Sequence, residues 1–419
     1  MPFLLMNSMM NNHLKFLALA ALINGTCFSM ILPLLAPLTR QLHLSEFQGG
    51  VIVSAGAICM AIASIWIAKN KSNQAPQNLV KYGFIGMTIT WALFTFILVL
   101  GLDAILPSVL IFILLVLSRA STGIFMSMPQ IGLQSYVMTE STETTTRSKQ
   151  MALFGAMNSF GMIVGPLATS LLLFGGLLLP MWFAVALLAL VSLALFMFFK
   201  KKADIRSDAD KTSEQNSNTV LNQQNIIKQS LIWLALGFST YVAIVTLNMT
   251  AGFYIQDKFF LSSQQSAVYF AQCMVVVGIC LVVTQLLIVK VIKLQLHSLV
   301  LIGILTMCFG LLLSLYAQSI VVFQASYIFY GISVACLLPA FTTGAAQAVT
   351  QDSQVKMAGY CTATQAFGLI FGPLVSTYLY QFDQNLPFYF LFALMILVGI
   401  CIGWVLVKKE QEVSSFVED

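Results

Sequence analysis

Charged residues are scarce in this chain, and their scarcity excludes a soluble fold. Asp, Glu, Lys and Arg make up 8% of the 419 residues, whereas hydrophobic residues make up 59%. A soluble domain carries about 25% charged residues. The composition therefore predicts a protein whose main partner is the lipid bilayer in which it is embedded. The net charge of +5 comes from basic residues spread along the chain, so no nucleic-acid partner is expected.

The chain also lacks the residue clusters of an enzyme at membrane depth. Its acidic residues and histidines fall outside the interiors of the apolar segments. The eight cysteines show neither metal-ligand spacing nor the pattern of a disulfide-bonded domain. We therefore expect no catalytic residue, no metal and no cofactor. A receptor or scaffold would need a large soluble domain, and the longest polar stretch, 200–229, is too short for one.

Twelve apolar segments are each long enough for a helix to cross a hydrocarbon core of ~30 Å. They predict an all-α membrane protein with twelve transmembrane helices in two six-helix, pseudo-symmetric halves. We number the segments 1–12, and their approximate limits are 14–38, 48–68, 80–101, 104–128, 150–174, 177–199, 230–255, 264–289, 294–316, 318–343, 357–380 and 386–407.

The polar stretch 200–229 separates the two predicted halves, 1–199 and 230–419. Its Lys, Asp, Ser, Asn and Gln content predicts a flexible linker, because it has too little apolar surface to bury. Lys and Arg concentrate in this stretch, at the termini and in the even-numbered loops. The positive-inside rule then predicts cytoplasmic termini and a cytoplasmic linker.

A glycine–proline pattern recurs about 207 residues apart. Its members are Gly161, Gly165 and Pro166 in segment 5, and Gly368, Gly372 and Pro373 in segment 11. Glycines four residues apart allow a neighbouring helix to approach closely, and proline bends the helix. The pattern predicts either ordinary tight packing or a seal on one side of a cavity. Such a repeat on membrane segments is typical of alternating-access transport.

A second repeat lies just before segments 2 and 8. Ser45 and Gln48 have the same Ser-x-x-Gln spacing as Ser262 and Gln265. This spacing predicts a capping box at the start of each helix.

Arg119 is the one basic residue deep inside a predicted helix. An arginine there destabilises the chain by at least a few kcal/mol unless it faces a partner or a water-filled cavity. Two interpretations stay open: a structural arginine bonded to backbone carbonyls, or a cation in the transport cavity. Gly123 follows one turn later, and Tyr327 and Gly331 occupy the matching places in the second half.

Four amides and two carboxylates complete the candidate site. Asn24, Gln130, Asn158 and Gln365 lie in or at the ends of apolar segments. They either bond between helices or line a substrate path. Glu46 and Asp257 lie at the predicted outer mouth, and are the best candidates for a proton site if protons are coupled. The alternative is that Glu46 complements the N-terminal end of its helix and that Asp257 is an exposed charge.

Arg119-x3-Gly123 and Gly161-x3-Gly165-Pro166 resemble motifs of the drug:proton antiporters in the major facilitator superfamily, the tetracycline-efflux-like group with twelve helices. The resemblance covers nearly the whole chain. It implies an exporter in the inner membrane of a bacterium, which acts as a monomer and is coupled to protons. The exported compound would be small and amphipathic, a drug or an endogenous metabolite such as a siderophore. The loop between segments 2 and 3 lacks the family's Asp and glycines, and Asn24 stands where many family exporters have an acidic residue. The alternative is an importer or facilitator of a small organic anion, with Arg119 as the counter-charge.

Overall fold

The computed structural model describes residues 12–70, 76–140, 157–158, 160–162, 164–198, 219–290, 295–349 and 354–415, and these residues are mostly helical. Helix α1 covers Asn12–Met30 and continues after Ile31 as Leu32–Gln41. The other helices are α2 (Glu46–Asn70), α3 (Pro76–Leu102), α4 (Ser108–Glu140), α5 (Phe160–Gly175), α6 (Leu179–Phe198), α7 (Thr219–Lys258), α8 (Ser263–Lys290), α9 (Leu296–Tyr316), α10 (Ile320–Gln347), α11 (Gln354–Phe382) and α12 (Leu386–Ser415).

These helices correspond one to one with the twelve segments predicted from the sequence. Ten of the described helices are long and apolar enough to cross a bilayer. The other two are α11 and α5, and the described residues of α5 form a shorter apolar helix. The predicted twelve-helix fold is thus confirmed.

Several helix limits differ from the prediction, for example α4 ends at Glu140 rather than near 128, and α12 ends at Ser415 rather than near 407. Helix α7 begins at Thr219, so residues 219–229 of the predicted linker are helical, while 200–218 lie outside the described residues. Polarity alone predicted a flexible segment, but Leu, Gln and Lys are good helix formers, and neither Gly nor Pro occurs between Thr219 and Gly237. Helix α4 begins at Ser108 rather than near 104, because Ala104 is left-handed in the turn where α3 ends and Pro107 directly precedes the first turn of α4.

Contacts between Cα atoms group the chain into two compact units. The first contains Met1–Arg206 and Asn248–Val275, and the second contains Ser207–Leu247 and Val276–Asp419. In the first unit α3 packs against α4 and α6, around buried Phe84, Trp91 and Leu188. In the second unit α9 packs in the same way against α10 and α12. The same pairing in each unit is the structural form of the sequence repeat.

Both predicted capping boxes are present. The Ser45 N–H donates to Gln48 Oε1 at 2.8 Å, and the Gln48 N–H donates to Ser45 Oγ at 3.2 Å. At the start of α8 the Ser262 N–H donates to Gln265 Oε1 at 3.2 Å, and the Gln265 N–H donates to Ser262 Oγ at 3.3 Å. Each box satisfies backbone donors that the first turn of a helix otherwise leaves free.

Candidate functional site

The glycines of α5 bring its backbone against the backbone of α1. A Cβ atom added at Gly161 would collide with the carbonyl oxygen of Leu22 and would lie 2.8 Å from the amide nitrogen of Thr26. A Cβ atom added at Gly165 would lie 2.5 Å from the carbonyl oxygen of Thr26 and would collide with Ser29 Oγ. Only glycine allows this approach, as expected for a small-residue contact between membrane helices.

A hydrogen bond joins the same two helices at the interruption of α1. The Leu34 N–H donates to the Ile31 carbonyl at 3.0 Å rather than to Met30, its partner in a regular α-helix. The Met30 carbonyl instead accepts a bond from Thr169 Oγ1 at 3.0 Å, one turn after Gly165 in α5. The break in α1 and the glycine–proline pattern of α5 therefore form one contact. Sequence reasoning missed Thr169, although its place four residues after Gly165 is visible in the sequence.

The second copy of the pattern packs α11 against α7, but against side chains. A Cβ atom added at Gly368 would lie 2.5 Å from Tyr241 Cβ, and one added at Gly372 would lie 2.9 Å from Val245 Cβ. Ser376 has the position of Thr169 in the repeat, and its hydroxyl donates within α11 to the Pro373 carbonyl at 3.2 Å. The two copies are thus alike in helix pairing and different in tightness.

Gly123 gives α4 an equally close contact with α2. A Cβ atom added there would collide with the carbonyl oxygen of Gly56. At the matching place in α10, a Cβ atom added at Gly331 would lie 2.8 Å from the carbonyl oxygen of Val277 in α8. The register that the sequence indicated between Gly123 and Gly331 therefore holds in the helix packing.

Arg119 lies one turn before Gly123 and is 5% exposed. Its guanidinium carbon is 5.4 Å from the ring centroid of Trp91 and 5.9 Å from that of Phe28. Within the described residues it forms no hydrogen bond or ion pair, and its Nε is buried without a partner. The structural interpretation required hydrogen bonds from Arg119 to backbone carbonyls, and none is present among the described residues. Cation–π contacts contribute about 0.5–2 kcal/mol, which leaves part of the desolvation of the charge uncompensated.

Asn24 and Asn158 meet one helical turn along α1 from Phe28. Asn24 Nδ2 donates to Asn158 Oδ1 at 3.3 Å, whereas Asn24 Oδ1 is buried with no partner among the described residues. Asn24 precedes Phe28 by one helical turn, so the two residues share a face of α1. The amide pair and the ring that lies near the Arg119 guanidinium therefore lie on the same face of α1.

The second unit contains a half-open cavity of about 390 Å³ between α7, α10 and α11. Gln365 lies in its wall, but the other predicted amides do not, and Gln130 is exposed on α4. The lining residues are Tyr241, Phe341, Thr342, Ala346, Met357, Cys361, Thr362 and Gln365. None of these side chains is charged at neutral pH, and the volume falls in the range of small-molecule sites.

Two walls of this cavity, α7 and α10, pack against each other through aromatic rings that lie on glycines. A Cβ atom added at Gly237 in α7 would lie 2.5 Å from the ring of Phe341 in α10. Reciprocally, the ring of Trp233 in α7 covers Gly344 in α10 so closely that a Cβ atom there would collide with it. The rings of Tyr241 and Phe341 meet edge to face, with centroids 6.4 Å apart and planes at 89°.

Glu46 and Asp257 bind the same guanidinium group. Arg40, at the end of α1, donates from Nη2 to Glu46 Oε1 at 2.8 Å and to Asp257 Oδ2 at 2.8 Å, and from Nη1 to Asp257 Oδ1. The three side chains are about one quarter exposed. Sequence reasoning did not single out Arg40. The available signal was its place six residues before Glu46, outside the even-numbered loops in which Lys and Arg concentrate.

Comparisons with known proteins identify the family. The model of the Major Facilitator Superfamily matches residues 17–296 and 293–418. A solved POT family transporter in complex with a thioalcohol-conjugated peptide is similar with a TM-score of 0.70 at 13% identity, covering 94% of this chain and 96% of that chain. The nucleoside transporter NupG gives 0.65 at 14% identity, covering 93% and 98%. The human organic anion transporter MFSD10 (TETRAN) gives 0.60 at 17% identity, covering 92% and 98%.

No curated protein matches the chain by sequence. Structural likeness at such low identity shows the fold alone, so the family assignment depends on the family model. That model covers nearly the whole chain, and the twelve helices and the internal repeat agree with it. The chain therefore belongs to the Major Facilitator Superfamily and is a multi-pass secondary transporter, not an enzyme.

Proposed function

We propose that this transporter exports a small amphipathic compound, a drug or an endogenous metabolite such as a siderophore, by alternating access. The observation that supports this proposal is the α1–α5 contact. There, the antiporter-like pattern of Gly161, Gly165 and Pro166 packs directly on backbone atoms of α1. A contact that tight, joined by Thr169, seals the helix pair against leakage while the transporter changes state. The mixed lining of the second unit's cavity suits a compound with apolar and polar parts.

Proton coupling would use the ion cluster of Arg40, Glu46 and Asp257. One guanidinium and two carboxylates carry a net charge of −1 when all three are ionised. One carboxylate can therefore bind a proton while the other still neutralises Arg40. The predicted orientation places this cluster on the outer side of a bacterial inner membrane, with both termini inside, where protons enter down their gradient. The protein would act as a monomer.

The test is accumulation of candidate compounds in cells with and without the gene, followed by transport in proteoliposomes with and without a proton uncoupler. We expect lower accumulation in cells that express the protein, and loss of export on uncoupling. Glu46→Gln and Asp257→Asn should reduce uncoupler-sensitive export, whereas Asp103→Asn, an exposed acid in the α3–α4 turn, should not. If export continues unchanged in the presence of the uncoupler, the transporter is not driven by protons and that part of the proposal is wrong.

Import or facilitated diffusion of a small organic anion is the second candidate. The buried guanidinium of Arg119, which has no anionic partner among the described residues, favours it. One structural relative is a human organic anion transporter. Higher cellular accumulation of a carboxylate in expressing cells, abolished by Arg119→Ala, would favour this candidate over export.

A further inference from the structure

The cavity of the second unit has the chemistry of a binding site for one class of compound. We propose that it binds the transported substrate as an uncharged, flat aromatic compound that carries a hydrogen-bond donor and acceptor on one edge. This inference rests on the proposed function and adds the substrate class to it. Four features of the lining carry it: the absence of charge, the aromatic pair, the free amide of Gln365 and the way α11 holds Tyr241.

The described side chains that line the cavity carry no charge, which argues against an ionised group in the bound part of the substrate. They are aromatic, aliphatic, hydroxyl, thiol, thioether and amide groups. Moving a full charge from water into such a place without a partner is strongly unfavourable. We therefore expect a carboxylate analogue of a neutral ligand to bind about a hundredfold more weakly or worse.

Tyr241 and Phe341 give the cavity an aromatic wall with a fixed shape. Phe341 is buried and lies against Gly237, so its ring has little freedom to turn. Tyr241 is partly exposed and meets Phe341 edge to face. Planar rings bind favourably beside such a pair, in stacked or edge-to-face arrangements. A flat aromatic compound fits this wall better than a branched aliphatic one.

The polar groups of the wall set the hydrogen-bonding edge. The Gln365 side chain is exposed and forms no hydrogen bond with the described residues, so its amide offers both donors and an acceptor. Thr342 Oγ1 already donates to the Leu338 carbonyl at 3.1 Å, which leaves it only as an acceptor. A substrate edge that carries one donor and one acceptor satisfies both side chains.

Gly368 connects this cavity to the repeated glycine pattern. Because glycine at that position lets α11 approach Tyr241 Cβ, the second copy of the pattern determines where the Tyr241 side chain stands. In this unit the glycine pattern thus acts as a positioning element for the aromatic wall. It is therefore not only a helix contact.

The probes are 2-naphthamide, its near-isosteric anion 2-naphthoate, and cyclohexanecarboxamide, which keeps the amide and lacks the aromatic ring. The full chain is reconstituted in nanodiscs with Cys361, in the cavity wall, as its single cysteine, and labelling by N-ethylmaleimide is measured. We expect naphthamide to protect Cys361 and the other two probes not to. In a matched chain whose single cysteine is the exposed Cys401 of α12, none of the probes should protect.

Gln365→Leu should weaken naphthamide binding about five- to thirtyfold, the effect of one lost hydrogen bond to a buried ligand group. Gln318→Leu, an exposed glutamine between α9 and α10, is the control and should bind as the wild type does. Both glutamines are exposed, so loss of folding does not explain a difference between the variants.

Protection by naphthoate that equals or exceeds protection by naphthamide would overturn the proposed class. So would absence of protection by naphthamide, or equal binding by the Gln365→Leu variant. Each of these results leaves the export test standing, because that test measures direction and coupling and not this cavity. Conversely, failure of uncoupler-sensitive export would not change the naphthamide result.

Discussion

Substituting alanine for Gly165 or for Gly372 tests whether the two copies of the glycine pattern do the same work. At Gly165 the added Cβ meets the carbonyl oxygen of Thr26 at 2.5 Å and the amide nitrogen of Met30 at 3.1 Å. Both are backbone atoms of a helix that Thr169 also holds, so α5 itself must move. At Gly372 the added Cβ would lie 2.9 Å from Val245 Cβ and 3.7 Å from the nearest backbone atom, the carbonyl oxygen of Val242, so a smaller displacement of α11 relieves the overlap.

The difference in stability between the two variants can be estimated because the gain in helix propensity from Gly to Ala is the same at both positions and cancels. Each replacement gains about 0.5–1 kcal/mol of helix propensity. Overpacking costs about 1–3 kcal/mol, and less where the overlap to be relieved is smaller. We therefore expect the Gly165 variant to be less stable than the Gly372 variant by about 1–2 kcal/mol, roughly a five- to thirtyfold difference in the population of this conformation. Leucine at the same two positions should widen the gap.

The assay is thermal unfolding of the purified variants together with transport in proteoliposomes at equal protein content. We expect a lower Tm and slower transport for Gly165→Ala, and values near wild type for Gly372→Ala. Equal losses at both positions would refute the distinction drawn between backbone and side-chain contacts, and would leave a packing role common to both copies.

Four further outcomes are expected. Arg119→Ala should abolish transport at near-normal expression, and Arg119→Lys should retain little, because a planar guanidinium stacks on the aromatic rings better than an ammonium does; normal transport by the alanine variant would remove Arg119 from the site. Exchanging the charges of Arg40 and Asp257 should restore part of the stability that Arg40→Asp alone loses, and the loss should shrink at high salt. Thr169→Val should lower the Tm by orphaning a carbonyl, an effect of about 1–3 kcal/mol, while Thr169→Ser should not. A single cysteine at Ser217 should resist impermeant reagents added from outside, and strong labelling would reverse the predicted orientation.

The number, order and approximate limits of the helices are predictable from the sequence because apolar length and the spacing of polar breaks reflect the thickness of the bilayer. The capping boxes are equally predictable, since Ser45 and Gln48 act over three residues of local chain. The start of α7 is not, because polarity alone does not separate a flexible linker from a helix that continues beyond the membrane.

The partners in the candidate site are beyond sequence reasoning because they are distant along the chain. Arg40 and Asp257 are 217 positions apart, and no local pattern indicates that one guanidinium serves both Asp257 and Glu46. The cavity around Gln365 depends on three helices whose contacts are set by rings and glycines. The sequence identified Gln365 as an amide in an apolar helix, and only packing gives it Tyr241 and Phe341 as neighbours.

The two ring-on-glycine contacts between α7 and α10 also constrain how this protein can change over evolutionary time. A side chain acquired at Gly237 needs the volume that Phe341 now fills, and one acquired at Gly344 needs the volume of Trp233. Volume-conserving exchanges are tolerated far better than single enlargements. Substitutions at these positions should therefore occur in pairs. Relatives that carry a larger residue at one member of a pair are expected to carry a smaller one at the other member. This covariation within each pair should be seen even where neither residue contacts a substrate.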